Sequence, residues 1–141
     1  MKRGATLVEL VLTLVIIGTL ATIALPRARG FTDSLVVQQA AVEIASAHRR
    51  ARISAILQSR IIELTVSSGA LSLRPRGASV DIWSAPGPAA SGVVLAGPPQ
   101  VIIFSPVGIS MGVSNATFRL SRGAATRAVV VSRLGRLRFL P

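Results

Sequence analysis

Three groups of residues place charge where it could do chemistry. The first is Glu9, the sole ionisable residue of positions 5–25, which read ATLVELVLTLVIIGTLATIAL. A charged side chain on a membrane helix costs on the order of 2.5–3.5 kcal/mol on insertion scales, so it takes a partner or sits in the headgroup layer. The second group is Arg133, Arg136 and Arg138 near the C-terminus. Arg136 and Arg138 alternate along an expected strand and so share a face, with Leu137 and Phe139 on the other. With Arg133 in the preceding turn, three guanidinium groups could grip phosphates, or could serve only to blunt an edge strand against aggregation. No aromatic residue lies between these arginines, which disfavours stacking of single-stranded bases. The third group is His48, the only histidine, whose neighbours Arg49 and Arg50 disfavour its protonated form.

An enzyme finds little support in these residues. One histidine with only Asp33 and Asp81 as aspartates does not furnish a hydrolase triad. The sequence has no cysteine, which excludes a disulfide framework, a thiolate metal site and a cysteine nucleophile. Neither a phosphate-cradling glycine loop nor a carboxylate pair is present. No cofactor or metal is expected, and Trp83 reads as a packing residue near a loop. The balance of 16 Lys+Arg against 5 Asp+Glu, a formal charge of +11, fits contact with phospholipid headgroups, nucleic acid or an acidic protein surface. Arginine used simply as a solubilising charge fits it as well.

The elements that must position these groups follow from patterning. Positions 5–25 form 21 residues without Lys, Arg, Asp or Asn. At 1.5 Å per residue they span roughly 31 Å, about the hydrocarbon thickness of a bilayer. Lys2 and Arg3 precede them, which holds the start of the chain in the cytoplasm and sends the rest outward. A conventional secretory signal, cut near Ala24 or Ala28, would need a shorter apolar stretch of about 7–15 residues without an early carboxylate. Pro26 should kink or interrupt the helix, and positions 27–30 (RARG) read as a flexible basic joint. Helix then resumes from Thr32 or Asp33, either of which could cap it, to Arg60. Val37, Ala41, Ile44, Ala51, Ala55 and Ile56 form its apolar stripe, opposite Gln38, Gln39, Glu43, Arg49, Arg50, Arg52 and Arg60.

From position 61 the period changes to that of strands. Runs at 61–67 and 70–73 flank Ser68-Gly69, a hairpin signal. Positions 85–92 (APGPAASG) and 96–99 (AGPP) read as loops. Further strands are expected at 93–95, 101–104, 116–120, 128–132 and 136–140. This spacing predicts an antiparallel sheet with the helix against one face. Gly108 and Gly135 fall where turns favour positive φ.

Two motifs resemble a known family. Lys2-Arg3-Gly4, then Ala5-Thr6-Leu7-Val8-Glu9-Leu10, then an apolar run ending at Pro26, resembles the leader of type IV prepilins and type II secretion pseudopilins. The resemblance implies that a prepilin peptidase cuts after Gly4 and N-methylates Ala5, where the family usually has Phe. It also implies that Glu9 pairs with the terminal ammonium of a neighbouring subunit during assembly. The C-terminal half narrows this. Val101-Ile102-Ile103-Phe104-Ser105-Pro106-Val107-Gly108, and 128–138 reading AVVVSRLGRLR, are similar to H-type minor pseudopilins and FimT-like minor pilins. FimT-like pilins active in DNA uptake carry a Gly-Arg-x-Arg element, which Gly135-Arg136-Leu137-Arg138 matches, so the resemblance implies DNA as an alternative partner.

The expected fold is α+β: a long N-terminal helix, transmembrane and kinked at Pro26, packed on a C-terminal antiparallel sheet. The expected segments are a leader at 1–4, a membrane helix at 5–26, a periplasmic helix at 27–60 and a β-rich domain at 61–141. The expected role is a minor pseudopilin of the type II secretion pseudopilus, held in the bacterial inner membrane with its domain in the periplasm. Expected partners are other pseudopilins or pilins, prepilin peptidase and the inner membrane. A DNA-binding minor pilin is the alternative.

Overall fold

The computed structural model describes residues 6–112, 115–132 and 135–141, with Ile23, Leu25 and Pro26 described by backbone only. One helix, α1, runs over Leu7–Leu57. Chain contacts divide the molecule into two units, Met1–Thr32 and Asp33–Pro141.

In the first unit the helix exposes Leu7, Val8, Leu10, Val11, Leu14, Val15, Ile17 and Leu20. Its most apolar stretch has a mean hydropathy of 2.4, and it is long and apolar enough to cross a membrane. Thr6 starts it: the Glu9 N–H donates to Thr6 Oγ1 at 3.3 Å, the N-cap arrangement that satisfies one of the free donors of a first turn. The helix runs on through Pro26 and the basic joint of 27–30, so of the expected kink or interruption the interruption is absent. Proline removes one backbone donor there and leaves the Thr22 carbonyl, four residues back, without its usual helical donor, a loss that membrane helices tolerate. Thr19 and Thr22 both return their hydroxyls to carbonyls one turn back, Thr22 Oγ1 to Thr19 O at 2.7 Å. Nor does Thr32 cap a second helix. Its hydroxyl donates to Arg29 O at 2.8 Å, inside α1.

In the second unit α1 presents Val37, Ala41, Ile44, Ala51 and Ala55, all buried, as the stripe predicts. Ile56 departs from it and is exposed. Ala40 and Ala47 widen the stripe and let the helix approach the strands closely. The helix ends at Leu57, three residues short of the expected end.

Two antiparallel sheets share the core with α1, where one was expected. The first holds β1 (Ile62–Val66), β2 (Ala70–Pro75), β3 (Trp83–Pro86), β5 (Gln100–Phe104) and β6 (Ser110–Met111), in the order β3-β2-β1-β5-β6. The second is β4-β7-β8-β9, built from Val94–Ala96, Ala116–Arg122, Ala125–Val131 and Leu137–Leu140. Alternation is clean in β1 and β7, where Ile62, Leu64 and Val66, then Ala116, Phe118 and Leu120, face inward. The Ser68-Gly69 hairpin forms as expected, with Val66 opposite Leu71.

Two strands fall outside the expected set. β3 lies partly in the proline-rich segment read as loop, and β6 is two residues long. Pro86 fits because β3 pairs with β2 alone and leaves its other edge free. A 3-10 turn at Pro88–Ser91 links β3 to β4. Gly108 and Gly135 take φ of 77° and 72°, as their turns require.

Candidate functional site

The expected assembly residues lie at the start of α1. Gly4 and Ala5, the expected cleavage and methylation positions, lie outside the described residues. Glu9 sits in the first turn of the helix, exposed, with no ion pair among the described residues. Thr6, three residues before it, completes a Thr-x-x-Glu pattern of the capping-box kind. That spacing was open to sequence reading, but the family motif around it draws attention to Glu9 alone. Pro26 lies within the helix.

The arginine cluster is placed in part. Arg133 lies outside the described residues. Arg136 and Arg138 are both exposed, Arg138 on β9, an edge strand of the second sheet. Leu137, on the other face, packs against the core as expected, while Phe139 keeps 45% of its surface exposed.

Strand register adds an arginine that sequence reading did not group with them. Arg119 on β7 lies opposite Ala128, which lies opposite Leu140 on β9. Thr117, Val130 and Arg138 form the adjacent row. Because β7 buries Phe118 and Leu120 and exposes Thr117 and Arg119, both rows belong to the outer face. With strands about 4.8 Å apart and residues about 3.4 Å apart along them, Arg119 and Arg138, two strands and two residues apart, are separated by about 12 Å on this face.

The strands of this sheet contribute no acidic side chain to this face, since positions 82–141 contain neither Asp nor Glu. The carboxylates of the second unit lie elsewhere, and three are in ion pairs: Asp81 with Arg74 at 2.9 Å, Glu63 with Arg76 at 3.5 Å and Asp33 with Arg122 at 3.0 Å. The fourth, Glu43, is exposed and, among the described residues, accepts a hydrogen bond only from Gln39 Nε2, at 3.1 Å.

His48 is a core residue, not part of a polar site. It is 2% exposed and meets Phe104 edge-on, with ring centroids 4.9 Å apart. Neither ring nitrogen has a hydrogen-bond partner among the described residues. Burial, with the added repulsion of Arg52 and then Arg49, lowers its pKa from 6.5 to about 4. Among the described residues no three His, Asp or Glu side chains gather as metal ligands. Trp83 is half-buried against the core on β3, and the Arg50 guanidinium lies 5.1 Å from its ring centre.

Residues 40–135 match the family model described as type II transport protein GspH. The chain belongs to the GspH family. Its fold is also that of a minor pilin. Crystal structures of the type IV minor pilin FimU of Pseudomonas aeruginosa superpose with TM-scores of 0.62 and 0.56, at 20% and 19% identity. The first match covers 79% of this chain and 92% of that one, the second 74% and 92%. A search of curated protein sequences finds no match. GspH-family membership makes the chain a type IV pilin-like protein of the minor pilin or pseudopilin kind, a structural class that assembles with other pilins or pseudopilins. The long apolar start of α1 suits a membrane-anchored component of such an assembly.

Proposed function

We propose that this GspH-family protein is a minor pseudopilin of a type II secretion pseudopilus. In this reading prepilin peptidase removes residues 1–4 after Gly4 and methylates Ala5. The subunit waits in the inner membrane with its β-rich domain in the periplasm, then joins the filament through α1. The observation that carries the reading is Glu9, an exposed carboxylate at the head of an apolar helix with no ion pair among the described residues. In a low-dielectric bundle of such helices a lone carboxylate is penalised, and a neighbour's terminal ammonium offsets it. Deleting the gene should block secretion of a reporter exoenzyme, and the mature chain isolated from membranes should begin at Ala5. Normal secretion, or a mature N-terminus near Ala24 or Ala28, would defeat the reading.

A second reading, a minor pilin that holds DNA through Arg133, Arg136 and Arg138, is favoured by one observation. Arg119 and Arg138 stand on a sheet whose strands contain no acidic side chain, and Arg136 immediately precedes β9. Full-length protein in detergent should then retard duplex DNA in a salt-dependent manner. Arg136→Ala with Arg138→Ala should lower the log–log salt slope by about 2 for duplex DNA. An unchanged slope would remove these residues from the account.

A further inference from the structure

A cleft of about 360 Å³ lies between α1 and the free-edged strand β3. Its walls are apolar for the most part: Leu71, Trp83, Pro86 and Ala90 line it, with Ser46 and Glu43 contributed by the helix. Glu43 is the one side-chain carboxylate of Asp33–Pro141 that lacks an ion pair among the described residues. Its Oε1 takes the Gln39 amide, and its Oε2 has no hydrogen-bond partner among the described residues. The aromatic wall already attracts one guanidinium, that of Arg50. A slot with apolar sides, an indole and a free carboxylate matches the arginine side chain, whose methylene stem is apolar and whose planar head forms paired hydrogen bonds to carboxylates.

This chain carries the complement. Arg119, Arg136 and Arg138 are exposed and have no carboxylate partner among the described residues; Arg119 and Arg138 stand on a sheet whose strands hold no acidic side chain, and Arg136 immediately precedes β9. β9 is three strands from β4, the strand that follows the 3-10 turn lining the cleft. At about 4.8 Å per strand the two edges of that sheet are about 14 Å apart. The cleft and the Arg136–Arg138 segment are therefore different surfaces, and contact between them in two molecules is head-to-tail. Such a contact is heterologous and does not close a two-fold dimer.

We propose that the Glu43–Trp83 cleft receives Arg136 or Arg138 from a second copy of this chain. The inference rests on the assembly reading above and assigns the contact between domains that accompanies helix packing.

The sequence lacks cysteine, so the test can use full-length chains in host membranes with a single introduced thiol each. Two differently tagged copies carry Ser46→Cys, in the cleft wall, and Leu140→Cys, on β9 with Arg138. A bismaleimide should join them. Glu43→Arg in the cleft copy should reduce the product about tenfold, because attraction becomes repulsion. Adding Arg136→Glu and Arg138→Glu to the other copy should restore it. Glu43→Gln, which keeps the Gln39 contact, should give an intermediate loss. A product indifferent to Glu43 overturns the proposal, and so does one that nuclease abolishes, since DNA would then bridge the chains. Filaments are recovered from the same cells. Chains present in filaments without product overturn this contact and spare the assembly reading. Product that obeys the charge swap in chains absent from filaments does the reverse, and absence of both overturns both.

Discussion

Arg122 joins three parts of the β-rich unit at once: its Nε lies 3.0 Å from Asp33 Oδ1 and its Nη1 donates to Ser91 O at 2.6 Å. Asp33 belongs to α1, Arg122 ends β7 and Ser91 ends the 3-10 turn. The β7–β8 turn closes on the same carboxylate, for a Cβ on Gly123 would come within 2.6 Å of Asp33 Oδ2. Arg122→Ala should destabilise the protein by about 1 kcal/mol, discounted because the arginine is 39% and the aspartate 24% exposed. Thermal unfolding checks this, with a loss in melting temperature of several degrees that narrows in high salt. An identical melting temperature for Arg122→Ala would mean the latch contributes nothing.

Gly108 permits no side chain for two separate reasons. Its φ of 77° disfavours L-residues, and an added Cβ would lie 2.7 Å from Ile56 Cδ1. Gly108→Ala should therefore cost more than about 1 kcal/mol, the strain of the left-handed backbone being only one part. Ile56→Val removes the Cδ1 methyl, so the pair should recover some of the loss but not all. Urea unfolding of the two single variants and the double variant measures this coupling, and strict additivity would show that Ile56 is not the obstacle.

The helix stripe and these turn glycines show what patterning can reveal. Val37, Ala41, Ile44, Ala51 and Ala55 recur at helical spacing and are all buried, because one face of α1 has to meet the strands. The faces of the last strand were legible too, since Arg136 and Arg138 alternate with the core-packed Leu137. Pro26 was misleading: one missing donor does not end a helix that continues through it on both sides. β3 was hidden because an edge strand tolerates the prolines that mark loops elsewhere. Arg119 could not be grouped with Arg138 in advance, since that neighbourhood depends on the pairing of β7 with β8 and β8 with β9, which no local pattern specifies. Glu43 likewise reads as an ordinary polar helix position until the pairing of the other carboxylates leaves it alone.

His48 makes the fold sensitive to acid. Its folded pKa of about 4 lies below the unfolded value of 6.5, chiefly through burial and then through Arg52 and Arg49. The unfolded chain therefore binds the proton more readily. The neutral imidazole's contribution is complete above pH 6.5 and is lost progressively as pH falls towards 4. The shift corresponds to roughly 3 kcal/mol in all. Urea unfolding at pH 7 and pH 4.5 should show this decline, and His48→Phe, which keeps an aromatic ring against Phe104, should remove most of it. A pH dependence unaltered by His48→Phe would locate the acid sensitivity in the carboxylates.

Thr6 and Glu9 lie in the same first turn, and their roles separate by substitution. Thr6 accepts the Glu9 backbone N–H, a local contact that starts the helix and whose loss costs about 1 kcal/mol. The Glu9 carboxylate, by contrast, is argued to act between molecules, and only its charge serves that end. Thr6→Val should thus loosen the first turn and still allow the chain into filaments. Glu9→Gln keeps the length and the hydrogen-bonding capacity of the side chain but cannot offset an ammonium group, so its incorporation should fall sharply, as should that of Glu9→Leu. Quantifying tagged chain in sheared filaments against chain left in membranes distinguishes the cases. Filament entry by Glu9→Gln at the parent's level, together with exclusion of Thr6→Val, would make helix initiation the function of this turn and remove the charge argument for assembly.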